Sequence, residues 1–338
     1  MFIKKYFIFF LLFILSNISL FPQPFDGKGD GTKDDPFQIW TKEHLLELYD
    51  SSYSDYLKGP SLYWHRYKHF RLMLDIYDVS DRINYVGFSE ARFYGSGKKI
   101  NAARVSPYFF SVLFSTLSYN SAVDSLILNG YMGNDDDLGL ARITNVNEGI
   151  PYGAPPNSLP GIISYCINNV AVANIDAVLY TYGVAGIAYS NKGIISHCIN
   201  NGSVTGVDRV AGIASANTNI ITNCINTGKI IATNSGSGPN ETEGVGGIVA
   251  FNMYNIFNCI NLGIIEGVNN VGGILGMSSI SNTSPIISNC LNLGYVSGKK
   301  YVGGILGIDH GIATISNCLN VGVVEGEEDV GSIVGKEE

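Results

Sequence analysis

Charge is scarce in this chain: only 15% of its 338 residues are Asp, Glu, Lys or Arg, and the formal balance is −8. An acidic protein repels polyphosphate, which excludes nucleic acid and anionic membrane surfaces as general partners. Histidine is equally thin. The five are His44, His65, His69, His197 and His310, and none belongs to a His-Glu-x-x-His pair of the zinc-protease kind. His65 and His69 stand four apart, as two ligands on a helix would, but no third ligand is near. A Gly-x-Ser-x-Gly elbow is absent, the nearest approach being Gly236-Ser237-Gly238. No apolar run is long enough to span a bilayer; the longest unbroken one, Tyr6 to Leu15, stops at half the length needed. Cysteine is missing everywhere except at one recurring position.

That short apolar run follows Lys4 and Lys5 and ends in Ser16, Asn17 and Ser19 before Pro22, the three-part form of a secretory signal over residues 1–20. Its removal takes two lysines and leaves the mature chain at −10. Export to the cell surface, the periplasm or the medium is expected, with no membrane span after cleavage.

What is present is a sentence written six times between residues 161 and 338. Its centre is Cys-[Ile/Leu]-Asn, at Cys166, Cys198, Cys224, Cys259, Cys290 and Cys318, spaced by 32, 26, 35, 31 and 28 residues. An Ile stands three residues before each Cys, from Ile163 to Ile315, and a Gly follows the Asn by two in all copies but the first. A short β-branched piece comes next, then a polar turn, then Val-[Gly/Ala]-[Gly/Ser]-Ile at Val184, Val210, Val245, Val271, Val302 and Val330. A period in this range marks a solenoid or array. Three apolar segments per period, too short for helices, predict an all-β parallel β-helix with about three short strands per coil, each pairing with its copy one rung away. Gly is expected to supply positive φ at the corners, and stacked Asn side chains to satisfy turn backbone along the axis. The six cysteines then form one internal ladder. Parallel in-register neighbours seldom reach disulfide torsions, so buried free thiols are favoured over disulfides. Strict alternation puts Ile287 and Cys290 on opposite faces, which requires a bend near Asn289.

Val271-Gly272-Gly273-Ile274-Leu275-Gly276 and Val302-Gly303-Gly304-Ile305-Leu306-Gly307, each after an Asn-Cys-[Ile/Leu]-Asn-Leu-Gly segment, resemble the GLUG motif of bacterial surface proteins. The first two copies depart from it, with Ala185 and Ala211 in place of Gly. The resemblance implies a right-handed parallel β-helix of the kind found in adhesin-like proteins and beside IgA-protease modules, and it brings no catalytic residues. The phrase from Gly31-Thr32 to Asp35-Pro36-Phe37-Gln38-Ile39 is similar to the opening that introduces a capping helix in such proteins. As a calcium loop it lacks EF-hand spacing. Thr41 is a good N-cap, Trp40 and Leu45 form a hydrophobic staple, and a solenoid needs a cap on its first coil. The cap is expected around Leu45–Tyr53.

The chain therefore divides into a signal peptide (1–20), an N-terminal strand and capping helix (21–60), irregular first coils and loops (61–160), and six regular repeats (161–338). Pro151, Pro155, Pro156 and Pro160 rule out central strands in the loosest stretch, and Asp135-Asp136-Asp137 reads as a solvated turn. The aromatic cluster Tyr53, Tyr56, Tyr63, Trp64 and Tyr67 is either a platform for stacking sugars or a plug for the irregular end. The insertion carrying Asn234 and Asn240, with Gly-Ser-Gly between them, is expected to project as a loop and offers a second contact. No catalytic, metal or cofactor residue is assigned. A non-enzymatic binding, adhesin-like or spacer module for an unknown protein or glycan is expected; the alternative is a β-helical polysaccharide lyase or glycosidase. Against that alternative, one corner of the repeat drifts in charge, from Asp208-Arg209 through Lys299-Lys300 to Glu327-Glu328-Asp329, as a solvated turn would. With opposite charges on the last two copies of that corner and an acidic end, a monomer is expected.

Overall fold

The computed structural model describes residues 27–48, 65–79, 87–88, 90–103, 112–131, 142–174, 183–233, 244–279, 284–311 and 313–338. Among the described residues every strand pairing is parallel, and the strands stack into five sheets of ten, nine, six, six and nine strands taken in order around a coil. The chain is an all-β parallel solenoid. One regular coil shows the plan: Ile194–Ser196, Ile199–Asn200, Val204–Gly206, Val210–Ala211 and Ala214–Asn217 each enter a different sheet. The expected three strands per coil are thus five. The three apolar segments are there, but two of them are folded in half.

The first fold falls on the residue before each cysteine. Tyr165, His197, Asn223, Asn258, Asn289 and Asn317 all have φ between 52° and 55°. This left-handed step turns the chain so that Ile and Cys, three apart, both face inward: Ile287 and Cys290 are at 0% and 1% exposure. The corner conformation is therefore carried by Asn, Tyr and His, and not by the recurring glycines after the Asn or in the Val-Gly-Gly-Ile phrase, which among the described residues have no positive φ. Those glycines serve close approach instead. A Cβ on Gly202, Gly228, Gly263, Gly294 or Gly322 would run into the carbonyl oxygen of the rung before it. A second series clears space across the core. A Cβ on Gly212, Gly247, Gly273 or Gly304 would strike the side chain of Asn226, Asn261, Asn292 or Asn320 respectively. The Cys-x-Asn and Val-Gly-Gly-Ile phrases are complementary halves of one packing unit.

That Asn forms the inner spine. Asn168 donates from Nδ2 to Asn200 Oδ1 at 2.9 Å, and the same bond runs on through Asn226, Asn261, Asn292 and Asn320 at 2.8–2.9 Å. Each also donates to the carbonyl two residues on, such as Gly263 O from Asn261 at 3.0 Å, so buried turn backbone is paired. A second buried ladder was not read from the sequence: Asn147, Asn191, Asn217 and Asn252, again joined amide to amide at 2.8 Å. Its place is taken in later coils by Ser278 and Asp309, linked at 2.6 Å.

The six cysteines are free and share one rung position. The first five are buried and Cys318 is half-exposed. Each Sγ donates weakly to the carbonyl two residues back, for example Cys198 to Ser196 O at 3.3 Å. Burial pushes the Cys198 and Cys259 thiols well above the ordinary range, which leaves them protonated and unreactive. Native protein treated with a thiol reagent should label at Cys318 first, and at the other five only on unfolding; rapid native labelling of most of them would refute this burial.

In the first coils the same sheets continue with a different filling. Phe70 and Phe93 stand in register with the inward Ile of the repeat, Phe114 with Ala188 and Phe88 with Asn147, with ring centroids 4.9–6.5 Å apart. Residues 42–48 are helical, with Thr41 Oγ1 accepting from His44 N at 3.3 Å as an N-cap, and Leu45 and Leu48 buried in the core. Tyr53, at the far end of the expected helix, lies outside the described residues, as do residues 1–26. No helix among the described residues is long and apolar enough to cross a membrane.

Candidate functional site

Of the residues expected to meet a ligand, Tyr53, Tyr56, Tyr63, Trp64, Asn234 and Asn240 lie outside the described residues. Tyr67 is described. It sits on the corner that leads into the ten-stranded sheet, 64% exposed and with φ of 62°. On the next rung Glu90 repeats the left-handed step with φ of 51°, and Tyr67 N donates to Glu90 O at 3.1 Å.

This corner gathers partners that are far apart in sequence. Arg66 Nε donates to Glu90 Oε2 at 2.7 Å, and the Arg66 guanidinium lies 4.8 Å from the Tyr67 ring centroid. The Tyr67 and Tyr119 hydroxyls also act on this carboxylate and help to keep it ionised. Burial alone would raise the Glu90 carboxyl; the hydrogen bonds from Arg66, Tyr67 and Tyr119 outweigh it and hold the group below the ordinary glutamate range. The two phenols are pushed up in turn, because they donate to an anion. Tyr119 also lines an open groove of about 430 Å³ with Ser118, Glu148, Ile150, Pro151 and Lys192. Lys192 Nζ meets Glu148 there at 3.1 Å. The proline-rich stretch forms turns, not strands, consistent with its missing donors.

The outer face of the ten-stranded sheet adjoins this corner. On strand His69–Leu72, His69 and Arg71 face outward; on Arg92–Tyr94 of the next coil, Arg92 and Tyr94 do the same. The register sets His69 beside Arg92 and Arg71 beside Tyr94. His69 Nδ1 and Tyr94 Oη are 2.9 Å apart, and Arg71 lies 5.7 Å from the Tyr94 ring centroid. His65 goes elsewhere: it is buried, stacked on Phe88, with Nε2 2.7 Å from Gly87 O. The two histidines four apart therefore do not converge. Among the described residues no group of three His, Cys, Asp or Glu is placed to hold a metal.

Tyr67 is the one member of the expected aromatic cluster that is described, and Glu90 and Tyr119, which gather around it, come from rungs too far away in sequence to be read beside it. The outward His-x-Arg and Arg-x-Tyr pairs alternate with the buried Phe70 and Phe93, a local period that irregular coils make hard to pick out.

These features define a parallel β-solenoid with a polar, aromatic face on its first coils. Neither a protein-family model nor a curated protein matches the chain. A solved structure does: a Bacteroides ovatus protein provisionally described as an immunoglobulin A1 protease, with a TM-score of 0.55 and 18% sequence identity, covering 93% of this chain and 87% of that one. At that identity the likeness is one of fold.

Proposed function

We propose that this chain is an exported, right-handed β-solenoid of the GLUG-repeat kind, closed at its N-terminal end by the helix at 42–48, that works as a non-enzymatic binding and spacer module. The right hand rests on the resemblance to GLUG-repeat proteins and is favoured by the general preference of connections between parallel strands. The observation that carries the binding role is the corner of Arg66, Tyr67, Glu90 and Tyr119. There a charged, exposed aromatic group is fixed on rigid coils beside a groove, as a recognition surface requires. The regular coils, with inner ladders and small outer turns, hold that face at a distance.

The experiment is a glycan and protein array probed with the full exported chain, together with reducing-end release from a panel of polysaccharides. Binding of one ligand class without product release is expected. Release of sugar ends would replace this reading by the lyase or glycosidase alternative, and a blank array would leave only a scaffold.

A further inference from the structure

We infer that the outer face of the ten-stranded sheet on the second and third strands is an anion-reading site for an acidic polysaccharide, with Arg71 and Arg92 binding its charged groups and Tyr94 supplying a stacking surface for a sugar ring. The inference rests on the binding reading above and names the ligand class for the face beside that corner.

Two unpaired guanidinium groups carry it. The protein is acidic overall, yet neither Arg71 nor Arg92 has a carboxylate partner among the described residues. The outward acid in register, Asp124 beside Tyr94, is held toward the later coil, Oδ2 accepting from Ser125 Oγ at 2.7 Å and Oδ1 from Ser164 Oγ at 2.6 Å, and it forms no ion pair with either arginine among the described residues. Lys68, just before this strand, is also engaged, donating to Asp30 O at 3.2 Å and lying over the Phe37 ring. On these two strands Arg71 and Arg92 are the cations that face outward with no ion pair among the described residues. His69 senses the resulting field: burial and then the positive charges of Arg92 and Lys33 push it down, with Asp34 opposing.

The geometry suits a rigid, extended anion better than a membrane. Consecutive rungs are about 4.8 Å apart, and positions two residues apart on a strand are about 6–7 Å apart, so the arginines sit diagonally on a flat lattice. Guanidinium groups bind carboxylate and sulfate through paired hydrogen bonds. Tyr94 lies between them, its hydroxyl tied to His69, so its ring is held in place. Gln38, in register beside Arg71, and Trp40, whose Nε1 donates to Gln38 Oε1 at 3.1 Å, extend the same face by one rung. A bilayer would demand inserted apolar side chains, and the outward positions here are His69, Arg71, Arg92, Tyr94 and Gln38.

The test uses the full exported chain against unsulfated chondroitin, chondroitin sulfate, neutral dextran, duplex DNA and phosphatidylglycerol vesicles at fixed salt. Binding to one or both chondroitins but not dextran is expected. A preference for the sulfated form identifies sulfate as the anion read, and equal binding identifies the carboxylate. Arg71→Gln and Arg92→Gln should each weaken binding about tenfold. Tyr94→Ala should do the same and Tyr94→Phe much less, with circular dichroism unchanged throughout. Full binding by both Arg variants would overturn the proposal, and so would DNA or vesicles binding as tightly as the glycans. If the array yields a neutral or protein ligand and both chondroitins fail, this inference falls while the binding reading stands. If nothing binds at all, both fall.

Discussion

Replacing Asn261 by Ala should destabilise the solenoid by about 3–5 kcal/mol, whereas Asn201→Ala should cost under about 1 kcal/mol. Both are ladder asparagines with similar bonds, and burial makes the difference. Asn261 accepts from Asn226 Nδ2 and donates to Asn292 Oδ1, each at 2.8 Å, while also donating to Gly263 O and accepting from Gly263 N. All of these groups are shut away from water, so truncation strands several at once, and each stranded group costs about 1–3 kcal/mol. Asn201 makes its bonds to Asn169 Oδ1 at 2.7 Å and with Thr227 on the exposed outside, where water replaces the lost partner. Urea midpoints of the two variants measured side by side decide the matter. Equal, small losses would show that the inner spine is ornamental.

The second large effect belongs to Gly273→Val. A Cβ at Gly273 meets the Gly304 carbonyl on one side and the Asn292 side chain on the other, and neither can retreat without breaking a rung. Overpacking of this kind costs about 1–3 kcal/mol by itself. With the Asn292 bonds disturbed, a total of about 4 kcal/mol or failure to accumulate folded protein is expected. Gly87→Ala is the control: only Ser115 Oγ lies near its Cβ, at 3.9 Å, and a change within about 0.5 kcal/mol is expected. Unfolding midpoints and protease resistance report both. A Gly273→Val protein as resistant as the parent would show that the two halves of the packing unit are not coupled as described.

How far the fold could be read from the sequence follows from which residues repeat. Ile195, Cys198, Val204, Val210 and Ile213 recur in type and place in other coils, and all face inward. Their recurrence is the fold's own signal. Strand number was hidden because the bend before each Cys sits on Tyr165 and His197 as well as on Asn, so no single residue type marks it. The second spine was hidden because it is short-lived: only Asn191, Asn217 and Asn252 keep one spacing to the inward Ile, Asn147 stands 16 residues before Ile163, and Ser278 and Asp309 later replace it. The corner was half-legible. Tyr67 stands out as an aromatic in a cluster of aromatics, but nothing near Glu90 in sequence announces that Arg66 and Tyr119 will both reach it. Long-range pairing across irregular coils leaves no local period to detect.

The inner amide spine has a consequence for how such a protein can change over time. Every rung donates toward the later coil and accepts from the earlier one, so one rung's two sides are mates for any other copy of itself. Duplicating a coil inserts a piece that fits both neighbours, and deleting one brings together two surfaces that already match. The coil's outer turns take no part in this fit, which is why repeats of 26 and 35 residues stand in one stack. Length is therefore a freely inherited variable: a gene for this fold can lengthen or shorten its product in steps of one rung, about 4.8 Å each, without redesigning a single contact in the interior.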